Sequence, residues 1–342
     1  MKRVLSILLT MVMILAASAM AEGEKKDIVV GGILSDLTNE FYLQMVEAGN
    51  AAAEDYGITV IWQSCDSNIE KQTSLVENFI LQGVDCIALE ALNDEAGYNV
   101  CKLAGEAGIP IITMAAPVAF EGSYSTLYPD RQNLRIATEA ICYAIGGEGK
   151  VGLLSGDSGN WVINEREMGF KEAIEEFPNV EGDIQLTRYD VAQATSITEN
   201  WITTGGVDGV VAVSDVYVLA GMAAAQNQGV TSIYWGGNDG NISNMEIMGS
   251  TEGTQIVDHL TGGFRVGYWN IATAARICLG EEIPTSIYLY CSTVMSDETA
   301  AMLQEKGFTC DYVTVERANE MATIDAVREI YGPQVSTEDF IG

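Results

Sequence analysis

Polar and aromatic residues follow the ends of many short apolar runs in this chain. Carboxylates, amides and guanidinium groups hydrogen-bond hydroxyl groups, and aromatic rings cover the carbon-bound hydrogens between them. This mixture suits a small ligand that is rich in hydroxyl groups. The segments that combine these residue types are 35–42, 90–93, 115–116, 157–166, 189–190, 214–215, 238–239 and 258–261.

Catalytic chemistry is not indicated by these segments. Residues 156–159, Gly-Asp-Ser-Gly, resemble the nucleophile loop of chymotrypsin-like proteases, but that chemistry needs a histidine base beside the serine. The single histidine, His259, follows the serine in the chain, whereas the histidine of those proteases precedes it. Residues 31–32 are a Gly-Gly pair without the pattern of a nucleotide-binding loop. No cysteine–histidine cluster suggests a metal site, so we expect no enzyme activity, no cofactor and no metal.

One pattern of strands and turns occurs twice. The Gly-Val-Asp of residues 83–85, which precedes one apolar run, returns as residues 206–208 before another. Residues 108–112 are echoed by 229–233, and residues 26–31 by 150–155. The offset of about 120 residues is far longer than the period of a solenoid. It predicts two similar α/β lobes, and the cleft between such lobes is a natural small-molecule site.

The elements within each lobe alternate between short apolar strands and amphipathic helices, which predicts βαβ units and parallel sheets. In such sheets ligands bind beyond the carboxyl ends of the strands. The predicted first lobe is 27–128 plus 259–284, and the second is 129–258 plus 285–342. Hinge strands are expected near 128–130, 254–258 and 284–287. Two tail helices, at 297–306 and 317–330, are predicted without a firm packing site.

The first residues have the features of an export signal. Lys2 and Arg3 precede an apolar or small run of about 14 residues, too few to span a bilayer. Residues 18–21, Ser-Ala-Met-Ala, look like a cleavage site, so residues 1–21 are predicted to be a signal peptide. An uncleaved anchor is the alternative. The expected location is the periplasm or the extracytoplasmic face.

The net charge and the cysteine count limit the binding partners and the disulfide pairing that can be expected. The chain has 48 acidic and 17 basic residues, for a formal net charge of −31. Nucleic acids and anionic membranes attract basic surfaces, so neither is expected to bind. The seven cysteines are an odd number, which leaves at least one thiol unpaired in an exported protein. Nothing indicates an obligate oligomer, and a monomer is expected.

Three motifs carry a resemblance to a known family. Residues 35–42 look like the first-strand loop of the ribose-type substrate-binding proteins of ABC importers. Residues 164–170, Asn-Glu-Arg-Glu-Met-Gly-Phe, are similar to that family's R-E-R-x-x-G-F segment, and residues 237–240 resemble its G-x-D-G turn. The resemblance covers about residues 27–290. It implies the type I periplasmic binding fold, in which two doubly wound parallel-sheet lobes are joined by a three-segment hinge.

The resemblance also implies roles for individual residues. By this resemblance Arg166 clamps ligand oxygens and Asp239 binds two hydroxyls. The alternatives are an ion pair of Arg166 with Glu165 or Glu167 and a loop-tip turn at Asp239. Ser214 stands where the family usually has asparagine, and Tyr189 matches an aromatic wall. The implied contacts are Asn39, Phe41, Tyr42, Arg166, Tyr189, Ser214 and Asp239.

One departure from the family pattern changes the ligand class that is expected. Ala115-Ala116 stands where the sugar binders commonly have Asp-Arg, so a carboxylate and a guanidinium are missing together. Trp161 and Trp235 are candidates to fill the space, with packing inside a lobe as the alternative. His259 lies near the position of a contacting glutamine, with a packing role as its alternative. The departure points to a sugar or polyol other than ribose, or to a less hydroxylated ligand.

The function implied by the resemblance is solute binding for an ABC importer. A monosaccharide or polyol enters the cleft, the lobes close by hinge bending, and the closed form docks on a membrane permease. Two alternatives stay open. The chain could present its ligand to a chemoreceptor or histidine kinase, or it could bind a small molecule that is not a sugar.

Overall fold

The computed structural model describes residues 27–157, 159–188, 190–249 and 254–329. The predicted signal peptide and Tyr189 lie outside the described residues. Two six-stranded sheets organise the described chain, each with helices packed against it. No helix within the described ranges has the length and apolar character that a membrane crossing requires.

The first sheet has the strand order β11-β5-β4-β3-β1-β2, and all its pairings are parallel. Helices α1, α2, α3 and α9 belong to this lobe. The strands are β1 (Val29–Leu34), β2 (Thr59–Ser64), β3 (Cys86–Leu89), β4 (Ile111–Thr113), β5 (Tyr124–Leu127) and β11 (Ser286–Tyr288). The helices are α1 (Glu40–Tyr56), α2 (Ile69–Gln82), α3 (Asp94–Glu106) and α9 (Gly263–Cys278).

The second sheet has the order β12-β10-β9-β8-β6-β7, in which only the β10–β12 pair is antiparallel. Its strands are β6 (Glu148–Ser155), β7 (Asn179–Leu186), β8 (Gly209–Ala212), β9 (Tyr234–Gly236), β10 (Gln255–Leu260) and β12 (Ser292–Val294). The helices of this lobe are α4 (Asp130–Ala144), α5 (Trp161–Glu175), α6 (Val191–Thr204), α7 (Asp215–Asn227) and α8 (Ile242–Met248). A tail follows, with α10 (Asp297–Glu305), α11 (Val315–Met321) and α12 (Ile324–Glu329).

The sequence repeat corresponds to the strand order. The series β5-β4-β3-β1-β2 of the first sheet has the same arrangement as β10-β9-β8-β6-β7 of the second. The repeated Gly-Val-Asp triplets precede β3 and β8, the equivalent strands in this alignment. The two-lobe parallel α/β prediction is therefore confirmed.

Two predicted lobe boundaries are wrong. Strand β10 stays in the second sheet through Leu260, so His259 and Leu260 do not start the first lobe. Strand β11 pairs with β5, so residues 286–288 belong to the first lobe. The chain therefore crosses between the lobes near residues 128–130, 261–262 and 289–291. Hydrophobic pattern alone does not reveal which sheet an isolated three-residue strand will join.

Local sequence sets the helix ends. Asn39 accepts a hydrogen bond from the Phe41 amide at the start of α1, and Gly57 ends that helix with a φ of 64°. Asn68 and Gly83 do the same for α2, where Gly83 has a φ of 69°. Asparagine satisfies an unpaired amide at a helix start, and glycine adopts the left-handed conformation at a helix end without a steric penalty.

The core of the first lobe depends on a close approach of α1 and α9. A Cβ atom on Gly267 would lie 2.1 Å from the Met45 carbonyl oxygen. A Cβ atom on Gly263 would lie 2.4 Å from the Phe41 carbonyl oxygen. The two helices therefore pack backbone against backbone, and α9 is held at the point where the second crossing enters the first lobe.

We expect Gly267→Ala to lower the free energy of unfolding by about 1–3 kcal/mol, because the added methyl group must push two helix backbones apart. Chemical denaturation measures the change. Gly105→Ala is the control, because its methyl group would meet only the half-buried Phe120 ring, which can rotate away. An equal or smaller loss at Gly267 would show that α1 and α9 can separate freely.

Candidate functional site

The two lobes touch where the carboxyl ends of their strands face each other. The Asp94 amide, beyond β3, donates to the Gly159 carbonyl beyond β6 at 3.1 Å. Glu40 at the start of α1 accepts the Ile242 amide at 3.0 Å and the Ser243 hydroxyl at 2.7 Å. These contacts place the segments expected to bind ligand on opposite sides of one boundary.

A carboxylate that the sequence motifs did not single out lies on the first-lobe side. Glu90, the residue after β3, accepts the Tyr42 hydroxyl at 2.6 Å and the Ser35 hydroxyl at 2.5 Å. The Ser35 amide donates to the same carboxylate at 2.9 Å. Burial raises the pKa of Glu90 although these hydrogen bonds oppose the shift. Burial, followed by the charge of Glu90, also raises the pKa of Tyr42.

The first-strand loop brings its three predicted residues together. Phe41 and Tyr42 are half-buried, with ring centroids 5.8 Å apart in an edge-to-face arrangement. The Asn39 side-chain oxygen caps α1 by accepting the Phe41 amide at 3.0 Å. Tyr42 is close enough to Asp239 of the second lobe for that charge to raise its pKa further. The loop thus reaches the lobe boundary, and Asn39 orients it.

Arg166 is at the centre of the second-lobe side. Its Nε atom and one terminal nitrogen each lie 2.8 Å from Asp130 Oδ1, and the other terminal nitrogen lies 3.6 Å from Asp239 Oδ1. The Val213 carbonyl accepts a further hydrogen bond. The residue is 7% exposed. The alternative of an ion pair between Arg166 and Glu165 or Glu167 is wrong, because Arg166 pairs with Asp130 instead.

Asp215 organises the turn that carries Asp239. Its carboxylate accepts the backbone amides of Asn238 at 2.9 Å and Asn241 at 2.8 Å. Asp239 in turn accepts the Ser214 hydroxyl at 2.7 Å and the Asp215 amide at 3.0 Å. The turn and the end of β8 therefore hold each other in place. Burial, with the nearby charge of Asp239, raises the pKa of Asp215 to about 7.

His259 and Asp258 lie beneath this turn. Asp258 accepts the His259 amide at 2.7 Å and the Gln255 side-chain amide at 2.9 Å. Burial raises the pKa of Asp258 well above its usual range and lowers the pKa of His259 to about 3. His259 is fully buried, and the positive charge of Arg166 lowers its pKa further. Its imidazole is therefore neutral at physiological pH.

The tryptophans and the alanine pair have different placements. Trp161 is half-buried at the first position of α5, beside Asn160, whose amide contacts Leu92 of the first lobe. Trp235 is 1% exposed in the second-lobe core, so the prediction that it fills the cleft is wrong. Ala115 has a φ of 67°, and its amide donates to the Thr126 hydroxyl at 3.0 Å.

Several charged residues of this boundary were not assigned a role from sequence. Glu90 follows an apolar run, which is the signal that marked segment 90–93, but no motif named it. Asp130 follows a strand and begins a helix, where acidic residues are common, so its sequence position indicates no special role. The ion pair of Asp130 with Arg166 joins residues that are distant in sequence, and only the packing of α4 on α5 brings them together.

Comparison with known proteins identifies the family. The model of the periplasmic binding protein domain matches residues 30–282. The chain belongs to the periplasmic binding protein family. The tail from α10 onward follows the matched region.

Named relatives of this periplasmic binding protein are import and binding proteins. It is 22% identical over 271 residues to a ribose import binding protein of Escherichia coli, covering 79% of this chain and 90% of that protein. It is 26% identical over 269 residues to a xylitol-binding protein of Mycolicibacterium smegmatis, covering 75% and 74%.

Solved structures share the fold. An ABC transporter solute binding protein of Bacillus halodurans with bound myo-inositol has a TM-score of 0.75 and 22% identity, with coverage of 83% of this chain and 99% of that one. A periplasmic solute binding protein of Actinobacillus succinogenes with bound D-allose has a TM-score of 0.74 and 22% identity, with coverage of 80% and 99%. The type I periplasmic binding fold is thus confirmed.

The buried carboxylates predict an unusual pH dependence of stability. Because the folded-state pKa of Asp215 lies above the unfolded value of about 3.9, the folded chain binds the extra proton and loses stability as pH rises toward 7. Asp130, with a pKa raised to about 6 by burial, acts in the same direction. One such proton changes the unfolding free energy by up to about 1.4 kcal/mol per pH unit.

Denaturation of ligand-free protein at pH 5, 6 and 7 measures this effect. We expect Asp215→Asn to flatten the loss of stability between pH 5 and 7, and the exposed control Asp311→Asn to retain it. The same slope in all three proteins would contradict the assignment of the titration to Asp215.

Proposed function

We propose that the chain is the extracytoplasmic solute-binding protein of an ABC importer, and that it binds a sugar or polyol between its lobes. The observation that carries the proposal is the pairing of two hydrogen-bonding faces at the lobe boundary. Glu90 and Tyr42 lie on one side, and Arg166, Ser214 and Asp239 on the other. The names of the relatives, which include ribose import and xylitol binding, support this ligand class and favour transport over sensing.

Binding uses the two faces in sequence. The ligand first meets one lobe, and contacts with the second lobe form only when the hinge closes, so the ligand shifts the equilibrium toward the closed form. Protein contacts across the boundary add to this shift, above all the two hydrogen bonds that Glu40 accepts from the start of α8. No covalent bond is made or broken, and the protein acts as a receptor rather than an enzyme.

Individual side chains have distinct roles in this proposal. One Asp239 carboxylate oxygen is held by Ser214 and the Asp215 amide, and the other, 3.6 Å from an Arg166 terminal nitrogen, is the one assigned to ligand hydroxyls. Arg166 positions Asp239 and contributes donors at the base of the cleft. The rings of Phe41, Tyr42 and Trp161 cover the apolar edges of the ligand. Asn39, Tyr189 and His259 complete the proposed contact set.

The partners follow from the same role. The closed protein delivers its ligand to a membrane permease of the importer, acts as a monomer, and reaches the extracytoplasmic face through a cleaved signal peptide at residues 1–21. The formal charge of −31 agrees with a solvated surface that stays free of nucleic acid and anionic lipid.

Thermal unfolding of the exported chain against sugars, polyols, nucleosides and amino acids tests the ligand class. A true ligand at 100 times its dissociation constant adds about 2.7 kcal/mol to the stability of the folded state, which raises the melting temperature by several degrees. We expect a hit among sugars or polyols, with the ligand recovered chemically unchanged. Hits confined to the other classes, or consumption of the ligand, would overturn the proposal.

Calorimetry with the ligand found in the thermal screen tests the location of the site. Asp239→Ala should weaken binding by about 1–3 kcal/mol, because charge-assisted hydrogen bonds to hydroxyls are lost. Asp311→Ala, on the exposed surface of the tail, should bind normally. Equal affinity in the two variants would move the site away from the 237–240 turn.

A further inference from the structure

The Glu90 carboxylate has hydrogen-bond donors but no cationic partner among the residues that the structure describes. Its three donors are the Ser35 amide, the Ser35 hydroxyl and the Tyr42 hydroxyl. The nearby charge that acts on it is that of Asp36, which has the same sign. Neutral donors stabilise a carboxylate, but they leave its charge uncompensated.

The facing lobe does not supply the missing charge. Arg166 is committed to Asp130, Asp239 and the Val213 carbonyl. One guanidinium therefore faces two carboxylates on the second-lobe side before Glu90 is considered. When the lobes are in contact, the boundary between Glu90 and Asp239 carries an excess of negative charge.

A buried charge without a counter-charge is costly, and a cation brought by the ligand would offset that cost. The neighbouring aromatic rings favour the same kind of group, because ring faces attract ammonium ions. Phe41 and Tyr42 are adjacent, and Tyr42 also holds Glu90 directly. A cation at this point would contact carboxylate and aromatic surface together.

We infer that the ligand carries a protonated amine beside its hydroxyl groups, as in an amino sugar or amino polyol, and that Glu90 binds this amine. The inference rests on the proposed function and narrows its ligand class. The hydroxyl groups of such a ligand face Asp239 and Ser214, and its amine faces the first lobe.

Matched pairs that differ only in one amine test the inference. Calorimetry at pH 7 compares D-glucosamine with D-glucose, D-galactosamine with D-galactose, and 1-amino-1-deoxysorbitol with sorbitol. In the pair whose skeleton fits, the amine should bind at least about tenfold tighter, which corresponds to about 1.4 kcal/mol. Glu90→Gln should abolish this preference, because it weakens binding of the amine member at least about tenfold more than it weakens binding of the neutral member.

The control is Glu121→Gln on the exposed surface, which should keep the amine preference. Tighter binding of a neutral member, or an amine preference that survives Glu90→Gln, would overturn the inference while leaving the sugar-binding function intact. Absence of binding by every member of the pairs, together with no sugar or polyol hit in the thermal screen, would overturn both.

The tail connects the two lobes a fourth time. Its first part is fixed to the second lobe: Val313 forms a β-bridge with Val294, and Lys306 donates to the Ala144 carbonyl at 2.7 Å. Helix α11 then packs against α8 and β10, with Ala318 and Met321 buried among Met245, Met248 and Leu260.

The next helix, α12, is fixed to the first lobe instead. Val327 is 2% exposed in the first-lobe core, and its carbonyl accepts the Trp269 indole N–H at 3.0 Å. Arg328 forms two hydrogen bonds to Asp55, at 2.7 and 3.1 Å. The Tyr268 hydroxyl donates to the same carboxylate at 2.9 Å.

Only Ala322 and Thr323 separate α11 from α12. Two extended residues span at most about 7 Å, so the lobes cannot move far apart at this edge while both helices stay docked. We propose that α11 and α12 form a strap that limits opening of the cleft, and that wide opening requires α12 to leave the first lobe.

Hydrogen exchange of the Asp94 and Ile242 amides tests the strap, because both amides donate across the lobe boundary. In the full ligand-free chain, Val327→Ala combined with Arg328→Ala should speed their exchange about tenfold or more. Arg328→Gln alone, which keeps the apolar contact, should have a smaller effect in the same direction.

Leu303→Ala is the matched control, because Leu303 is a buried tail residue that belongs to the second-lobe core. It should lower the melting temperature without speeding exchange at the two amides. Unchanged exchange in the Val327/Arg328 variant, or equal acceleration by Leu303→Ala, would overturn the strap.

Discussion

A single buried guanidinium joins two carboxylates of the second-lobe face. Arg166 joins Asp130 at the start of α4 to Asp239 in the turn after β9. Removing one partner from such a group leaves an uncompensated buried charge, which costs several times more than a surface ion pair contributes. The positions of α4, α5 and the 237–240 turn therefore depend on one another, and the second-lobe side of the cleft is preorganised.

The first lobe reaches the same boundary by a different route. Its polar face consists of neutral hydrogen-bond donors around one carboxylate, Glu90, which forms no ion pair within the described part of the chain. The alanine pair at 115–116 agrees with this asymmetry, because Ala115 directs its amide to Thr126 within the lobe rather than a charged side chain toward the ligand. This asymmetry between the two faces is the basis of the proposal that the ligand carries an amine at one end.

Pattern recognition located most elements closely and failed where pairing decides the structure. Apolar residues at helical spacing from Phe41 to Tyr56, followed by Gly57, predict a helix at 40–56, and α1 has these bounds because the periodicity and the cap agree. The apolar pattern predicts a strand over 184–190, whereas β7 runs from Asn179 to Leu186, because pairing with β6 extends it upstream through polar residues. Helix α8 was not predicted, and the helix expected at 317–330 is divided into α11 and α12, which dock on different lobes.

The sequence by itself determined the two-lobe parallel architecture, because the repeat and the hydrophobic periodicity are local signals that survive without any knowledge of contacts. The resemblance of its motifs to the family also predicts Phe41, Tyr42, Arg166, Ser214 and Asp239 as ligand contacts. Only the tertiary structure decided their partners, since the ion pair of Arg166 with Asp130 and the contact of Tyr42 with Glu90 join segments that are far apart in the chain. The sheet joined by β11 and the crossing of the tail were decided in the same way, because short strands and helices take their places from the surfaces that remain to be covered.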